Sequence, residues 1–352
     1  MKDIQVFLLS YSNSRALQQA ITSLQLIIQR VKGITVIDVP DFLLEVFGSF
    51  TTQPKAEYVK LNNNNLGKTL NDYIKKLSCE YVLFLYDQDY LNRNITEIQL
   101  ELNNEKNVMT YQHTIKNKTI QRPFLIKTCF LNQNMFFQNV EVPFKEAIMP
   151  SWLSQIDPSY VVPASRSIIG QLSKDATTIN FEKIKFIEKY QTNVSNSIIQ
   201  PSIAVMISNY NMADYVGVAI NSCFLQSSPP EQVLVVDDGS TDESYKMLER
   251  WIYHPRFKLL SKKNGGKAKA LNELLPYIET EFIVELDADD WLDPDAIFVI
   301  KNYLRNLAGD VAVLYGNLRA WKQMSSGKVK YKGIRKGSQV LNKRNYFRIH
   351  SL

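Results

Sequence analysis

Phe282-Ile283-Val284-Glu285-Leu286-Asp287-Ala288-Asp289-Asp290-Trp291-Leu292-Asp293-Pro294-Asp295 sets a short run of β-forming apolar side chains directly before a cluster of carboxylates. Phe282, Ile283, Val284 and Leu286 predict a buried strand, and Pro294 can open a helix after it. The cluster then falls at the C-terminal end of a strand, the edge where open α/β sheets bind ligands. Carboxylates grouped there repel one another unless a cation or hydrogen-bond donors compensate. A hard divalent ion suits Asp287 and Asp289, because such ions take one or two protein carboxylates and complete their shell with water and phosphate. The plainer alternative is an acidic helix start, with Asp290, Asp293 and Asp295 complementing the helix dipole.

Upstream of this stretch, strands and helices alternate. Ile203–Ile207 reads as a buried strand, followed by a helix with Tyr215, Val218, Ala219, Ser222 and Cys223 on one face. Gln232–Val236 is a second strand and runs into Asp237-Asp238-Gly239-Ser240-Thr241-Asp242, where Gly permits a turn and Ser240 or Thr241 can cap the helix carrying Tyr245, Leu248 and Trp251. Phe257–Leu260 is a third strand, and Asn264-Gly265-Gly266-Lys267 leads into a helix through Leu271 and Leu274. The pattern implies a largely parallel sheet with its polar loops on one edge. There the acids of two strand ends could face one crevice, one group taking a nucleoside and the other a metal on its diphosphate. Lys267, behind two glycines, adds a cation where backbone can approach phosphate. Gly265-Gly266 also reads simply as a turn; the spacing is not that of a Walker loop, and no G-x-G-x-x-G occurs.

A repeat with an offset near 200 organises the rest of the chain. Leu8-Leu9-Ser10-Tyr11-Ser12 matches Ile207-Ser208-Asn209-Tyr210-Asn211, and Asn65-Leu66-Gly67-Lys68 matches Asn264-Gly265-Gly266-Lys267. Glu80-Tyr81-Val82 through Asp87-Gln88-Asp89-Tyr90-Leu91 matches the stretch from Glu281 to Leu292, given one-residue gaps. Two copies of one α/β module are therefore expected, over residues 1–165 and 201–352, joined by a linker at 166–200 with a helix around Phe181–Tyr190.

The composition is that of a globular protein: 352 residues, 45% apolar, with no run long enough to span a membrane. The N-terminus shows no signal-peptide architecture, so a cytoplasmic location is expected. Three isolated cysteines and three scattered histidines suggest neither a disulfide framework nor a zinc site. The net charge of +6 is uneven, since Arg319 to Leu352 holds ten Lys or Arg and no Asp or Glu, leaving the preceding residues net acidic. That basic tail could meet a membrane surface, a polyanionic acceptor or a diphosphate, or could be a solvated end. It lacks the interleaved aromatics and motifs of a nucleic-acid binder, so no nucleic-acid partner is expected.

In combination, Ser-Asn-Tyr-Asn, Val-Val-Asp-Asp-Gly-Ser-Thr-Asp, Asn-Gly-Gly-Lys-Ala and Leu-Asp-Ala-Asp-Asp-Trp-Leu-Asp-Pro-Asp resemble the family 2 glycosyltransferases of the GT-A fold. The resemblance is close over Ile203–Ile297 and fainter in the first copy. It implies an α/β fold of two tandem GT-A-like, Rossmann-like modules, and inverting transfer of a sugar from a nucleotide-diphosphate donor, usually a UDP-sugar, to a glycan or glycoconjugate. By motif, Tyr210 and Asp238 would contact base or ribose, and Asn264, Gly266 and Lys267 would lie along the nucleotide. Asp287 and Asp289 would form the Asp-x-Asp pair, with Asp289 the direct ligand to Mn²⁺ or Mg²⁺.

The resemblance also exposes gaps. Such enzymes take the acceptor proton with a carboxylate well after the Asp-x-Asp, yet no Asp or Glu follows Asp310, so the second module reads as truncated on its acceptor side. No general base is evident; Glu146, in Val142–Trp152 of the first copy, is the candidate that remains. In that copy Val39 stands where Asp238 is expected, while Asp87 and Asp89 stay available as a metal pair and Tyr86, Tyr90 and Trp152 as sugar-lining or core aromatics. The first copy accordingly reads as a diverged structural or acceptor-binding domain. A non-catalytic sugar-nucleotide-binding scaffold is the alternative to a working transferase.

Overall fold

The computed structural model describes residues 2–43, 56–115, 117–172, 181–191, 200–305, 307, 311–324, 328–335 and 341–342. The chain divides into two compact units, Met1–Gln191 and Thr192–Leu352. Four residues of the basic tail, Lys336, Lys343, Arg344 and Arg348, lie outside the described residues, as do residues 173–180 and 192–199 of the expected linker.

The first unit is built on a seven-stranded mixed sheet of order β3-β2-β1-β4-β7-β6-β8. Its strands are β1 Ile4–Leu9, β2 Val31–Ile37, β3 Ala56–Val59, β4 Tyr81–Tyr86, β6 Val108–Ile115, β7 Lys118–Lys127 and β8 Val161–Pro163, with a separate pair, β5 Asp89–Leu91 and β9 Ile169–Gln171. β3, β2, β1 and β4 run parallel, and β7 closes antiparallel on β4. β1 and β4 are near-continuous apolar runs, IQVFLL and YVLFLY, as expected of strands covered on both faces. The helix expected around Phe181–Tyr190 is Phe181–Glu188, and it belongs to this unit: its Lys183 binds Glu146.

The second unit carries a parallel sheet of order β12-β11-β10-β13, from β10 Ile203–Asn209, β11 Gln232–Asp237, β12 Phe257–Ser261 and β13 Phe282–Asp287. Period-two alternation divides the core between the sheet's faces. Ile203, Val205, Ile207, Val233 and Val235 meet helices Val216–Phe224, Ser244–Leu248 and Ala296–Leu304. Ala204, Met206, Leu234 and Val236 meet helix Lys267–Leu274 through Ala270 and Leu274. The first of these helices buries Val216, Ala219, Ile220 and Cys223, whereas Tyr215, expected on that face, precedes the helix and is exposed. Four short strands complete the described residues: β14 Val311–Val313 pairs with β17 Leu341–Asn342, and β15 Leu318–Gln323 with β16 Val329–Arg335.

The strand that decided the fold is the one most differently placed from expectation. β13 pairs with β10 alone among the described residues, and Phe282 and Ile283 are 37% and 45% exposed. An apolar run specifies a strand, but whether the strand is buried depends on what lies across its far edge.

Candidate active site

The parallel strands of the second unit all end on one edge, and the loops leaving them form a cavity of about 450 Å³. It is lined by Ser208, Tyr210, Met212, Asp238, Asn264, Gly266, Lys267, Asp287, Ala288 and Asp289. All seven residues assigned to donor or metal from the sequence are therefore brought together. Ser208, Met212 and Ala288 are additional lining residues; Ser208 and Ala288 lie within the quoted motifs without having been singled out, and Met212 follows the first of them.

Each loop is held by a distinct device. Asp237 serves the turn: its carboxylate accepts from Asn209 Nδ2 at 2.8 Å, from Ser240 Oγ at 2.6 Å and from the Ser240 amide at 3.1 Å. Ser240 is thus spent on this turn and caps no helix; the next helix begins at Ser244 with Glu243 at its N-cap. Asp238, 2% exposed, turns the other way and gathers the glycine loop. Its Oδ1 accepts from Lys262 Nζ at 2.7 Å and from the Gly265 amide at 2.9 Å, and its Oδ2 from the Gly266 amide at 2.7 Å. Burial alone would raise its pKa, but the Lys262 ammonium and the two amides outweigh burial and hold it below the usual carboxylate range. Glycine is required twice. Gly239 has φ +75° and Gly266 φ +89°, and a Cβ on Gly239 would stand 2.6 Å from the Asn264 amide nitrogen.

At the acidic end of β13, Lys267 Nζ lies 2.5 Å from Asp287 and 2.8 Å from Glu285, a residue of the strand itself. Partial burial would lower the Lys267 pKa, yet hydrogen bonds to Asp287 and Glu285 raise it. Asp290 is pushed above the usual carboxylate value by burial and by repulsion from Asp289 and Asp287. One ammonium thus leaves the cluster of Glu285, Asp287, Asp289 and Asp290 with uncompensated negative charge. Among the described residues no three His, Cys, Asp or Glu side chains gather as a metal-holding group. Asp287 and Asp289 form a two-carboxylate set, the type that suits a divalent ion shared with a diphosphate.

The first unit resolves the same problem internally. Asp89 is fully buried and accepts hydrogen bonds from Tyr111, from Arg122 at 3.2 Å and from Gln171 at 2.9 Å, with His113 Nδ1 at 3.6 Å. Burial would raise its pKa, but His113 and Arg122 bring it below the ordinary value, while burial and Arg122 keep His113 neutral to lower pH. A guanidinium stands beside Asp89, so in place of the expected metal pair Asp89 forms a buried ion pair while Asp87 accepts from Ser12 Oγ at 3.1 Å. Strand register gives the reason. Leu9 faces Ile37 and Tyr86, whereas Ser208 faces Val236 and Asp287. Aligning the ladders places Val39 opposite the position of Asp238, as read from sequence, but sets Tyr86 at the position of Asp287. The acids of the first unit follow one residue late, and a one-residue slip changes the face a side chain takes. Trp152 is buried against Phe136, and Tyr86 donates to the Pro123 carbonyl. Glu146 accepts from Lys183 at 2.9 Å through both oxygens.

Fold and site together define the second unit as a Rossmann-like α/β domain whose strand-end edge gathers carboxylates, glycine-loop amides and a lysine. Residues 204–350, rather less than half of the chain, match the family model of glycosyl transferase family 2. The chain is 32% identical over 130 residues to a chondroitin synthase of Pasteurella multocida (strain Pm70), a match covering 36% of this chain and 13% of that protein. It shows the same identity and coverage to a hyaluronan synthase of Pasteurella multocida. It is 29% identical over 106 residues to a poly-beta-1,6-N-acetyl-D-glucosamine synthase of Staphylococcus epidermidis, covering 30% of this chain and 26% of that protein. Among solved structures, S. aureus TarS 1-349 in complex with UDP-GlcNAc matches at 29% identity over 30% of this chain and 31% of that chain, with a TM-score of 0.28. The chain thus spans only a small part of its curated relatives. Among the described residues no helix is long and apolar enough to cross a membrane.

Proposed function

We propose that the chain is an inverting glycosyltransferase, moving a sugar from a nucleotide-diphosphate donor, a UDP-sugar, to a glycan or glycoconjugate acceptor with the aid of Mn²⁺ or Mg²⁺ at its second unit. One observation carries the reading: Tyr210, Asp238, Asn264, Gly266, Lys267, Asp287 and Asp289, from four separate loops, line a single cavity. The polysaccharide-synthase relatives are in keeping with it. The shared order of parallel strands, β3-β2-β1-β4 and β12-β11-β10-β13, supports tandem modules at 1–165 and 201–352, the first diverged. A cytoplasmic location fits a nucleotide-sugar consumer.

Each residue has a definable task in this reading. Asp238 fixes the loop bearing Asn264 and Gly266, so that their backbone is set before the nucleotide arrives. Tyr210, 46% exposed at the rim, offers a ring face to the base. Asp287 and Asp289 would hold the divalent ion, which supplies positive charge against the departing diphosphate. Lys267 adds a mobile ammonium beside it. The exposed Asp287 is free to exchange its Lys267 contact for metal, with the exposed Asp289 beside it, without unfolding the edge.

Calorimetric titration with UDP, with and without Mn²⁺, tests the assignment. Saturable, metal-dependent binding weakened about tenfold in Asp289→Asn, a loss of about 1.4 kcal/mol, is the expected result. Absence of binding under both conditions rules the donor site out. A second reading, a scaffold that binds sugar-nucleotide without turnover, draws on Glu146 being held by Lys183. Donor hydrolysis or transfer by the purified chain would exclude it.

A further inference from the structure

The β15–β16 hairpin has two chemically opposite faces. Its register sets Trp321 opposite Tyr331 and Lys322 opposite Lys330, with a bulge beside Trp321 that leaves Lys332 without a cross-strand partner. Trp321 and Tyr331 share one face, their rings 5.3 Å apart, and Trp321 lies 6.5 Å from Trp291, the residue directly after the acidic cluster. Arg319 joins the same contact by pairing with Asp293 at 3.0 Å. This face is therefore docked on the segment that leaves the donor site.

Alternation sends Lys322 and Lys330 to the other face. Like charges directly opposite across two strands destabilise a hairpin. Lys322, Lys328, Lys330, Lys332 and Arg335 are all exposed and have no acidic partner among the described residues. An edge-on Trp321–Tyr331 contact and a tilted Trp291–Trp321 contact thus anchor the hairpin beside the donor site while its far face carries a repulsive row of cations. An anion bridging Lys322 and Lys330 removes the repulsion.

We infer that this cationic face binds the acceptor, and that the acceptor is an anionic saccharide whose carboxylates bridge Lys322 and Lys330. The inference rests on the reading of the second unit as a sugar-transferring domain. It commits to a saccharide because the Trp321–Trp291 contact ties the hairpin that carries this face to the residue following Asp290, where an acceptor has to approach the donor. An anionic bilayer is the competing occupant, since Leu318 and Ile334 are exposed on the same hairpin.

The test compares wild type with the triple variant Lys322→Gln, Lys330→Gln, Lys332→Gln. Four probes are titrated: a carboxylated hyaluronan oligosaccharide, a neutral maltodextrin of equal length, poly-glutamate and phosphatidylglycerol vesicles. UDP with Mn²⁺ is titrated on the same samples and reports folding of the donor edge. Expected is binding of the carboxylated saccharide in preference to the other three, weakened about tenfold in the variant by removal of three exposed charge contacts, with UDP affinity unchanged. Replacement of the same lysines by Arg should retain it. Equal saccharide affinity in wild type and variant overturns the inference, as does poly-glutamate binding as tightly as the saccharide. Vesicle binding without saccharide binding overturns it in favour of a membrane surface. Saccharide binding without UDP binding would instead uphold the hairpin site and sink the donor-site reading; UDP binding without saccharide binding would do the reverse.

Discussion

At the scale of single residues, the candidate site is governed by two lysines holding two aspartates. Lys267 neutralises Asp287 and so competes for the carboxylate that a divalent ion needs. Lys267→Met should therefore bind Mn²⁺ alone more tightly than wild type, yet bind UDP with Mn²⁺ less tightly, because the ammonium serves the diphosphate. Isothermal titration of metal with and without nucleotide reads both signs, and weakening in both would show that Lys267 does not compete. Asp238 gives a pH prediction. Its folded-state pKa lies below its unfolded value, so its contribution to stability is complete above the unfolded value, about 3.9, and fades as pH falls through the lower folded value. Thermal melts should show wild type exceeding Asp238→Asn near neutrality and converging with it in acid. The location of Asp238 in the site was legible in Val-Val-Asp-Asp-Gly; its burial under Lys262 was not. A lysine in Lys262-Lys263-Asn264 reads as solvated until the loop is seen to fold back on the strand end.

At the scale of elements, glycines govern how closely loops approach. Gly239→Ala forces a side chain into a positive-φ position and against the Asn264 backbone. A cost of about 1–3 kcal/mol is expected, seen as a lower Tm together with weaker UDP binding. In the first unit, a Cβ on Gly67 would sit 1.8 Å from the Phe137 carbonyl oxygen. Gly67→Ala should destabilise that unit while leaving UDP affinity near wild type, which calorimetry and thermal denaturation can separate. Strands and their order were readable because each apolar run is bounded by turn chemistry. What sequence could not supply was the far side of β13. An identical apolar run is enclosed when a strand such as β7 lies across it and exposed when it forms an edge, and that choice is made by residues far away in the chain.

At the scale of the whole molecule, two similar sheets lead to one expected nucleotide site. Titration should give one metal-dependent UDP per chain, and Asp289→Asn should weaken that site without uncovering a second. A stoichiometry of two would contradict the assignment of Asp89 to an internal ion pair. The near-repeat of Asp-x-Asp made the units look more alike in sequence than they are, because letters align with gaps whereas ladders do not. The Asp89–Arg122 pair carries a consequence for mutational routes. Converting that edge to one like the second unit's would need the acids that follow β4 to move one residue earlier and removal of the guanidinium in the same step. Removing Arg122 alone strands a buried carboxylate, at a cost of about 3–5 kcal/mol. Shifting the acids alone leaves a buried cation in its place. Neither single change yields the other arrangement, so an edge like the second unit's would arise there only through coordinated substitutions.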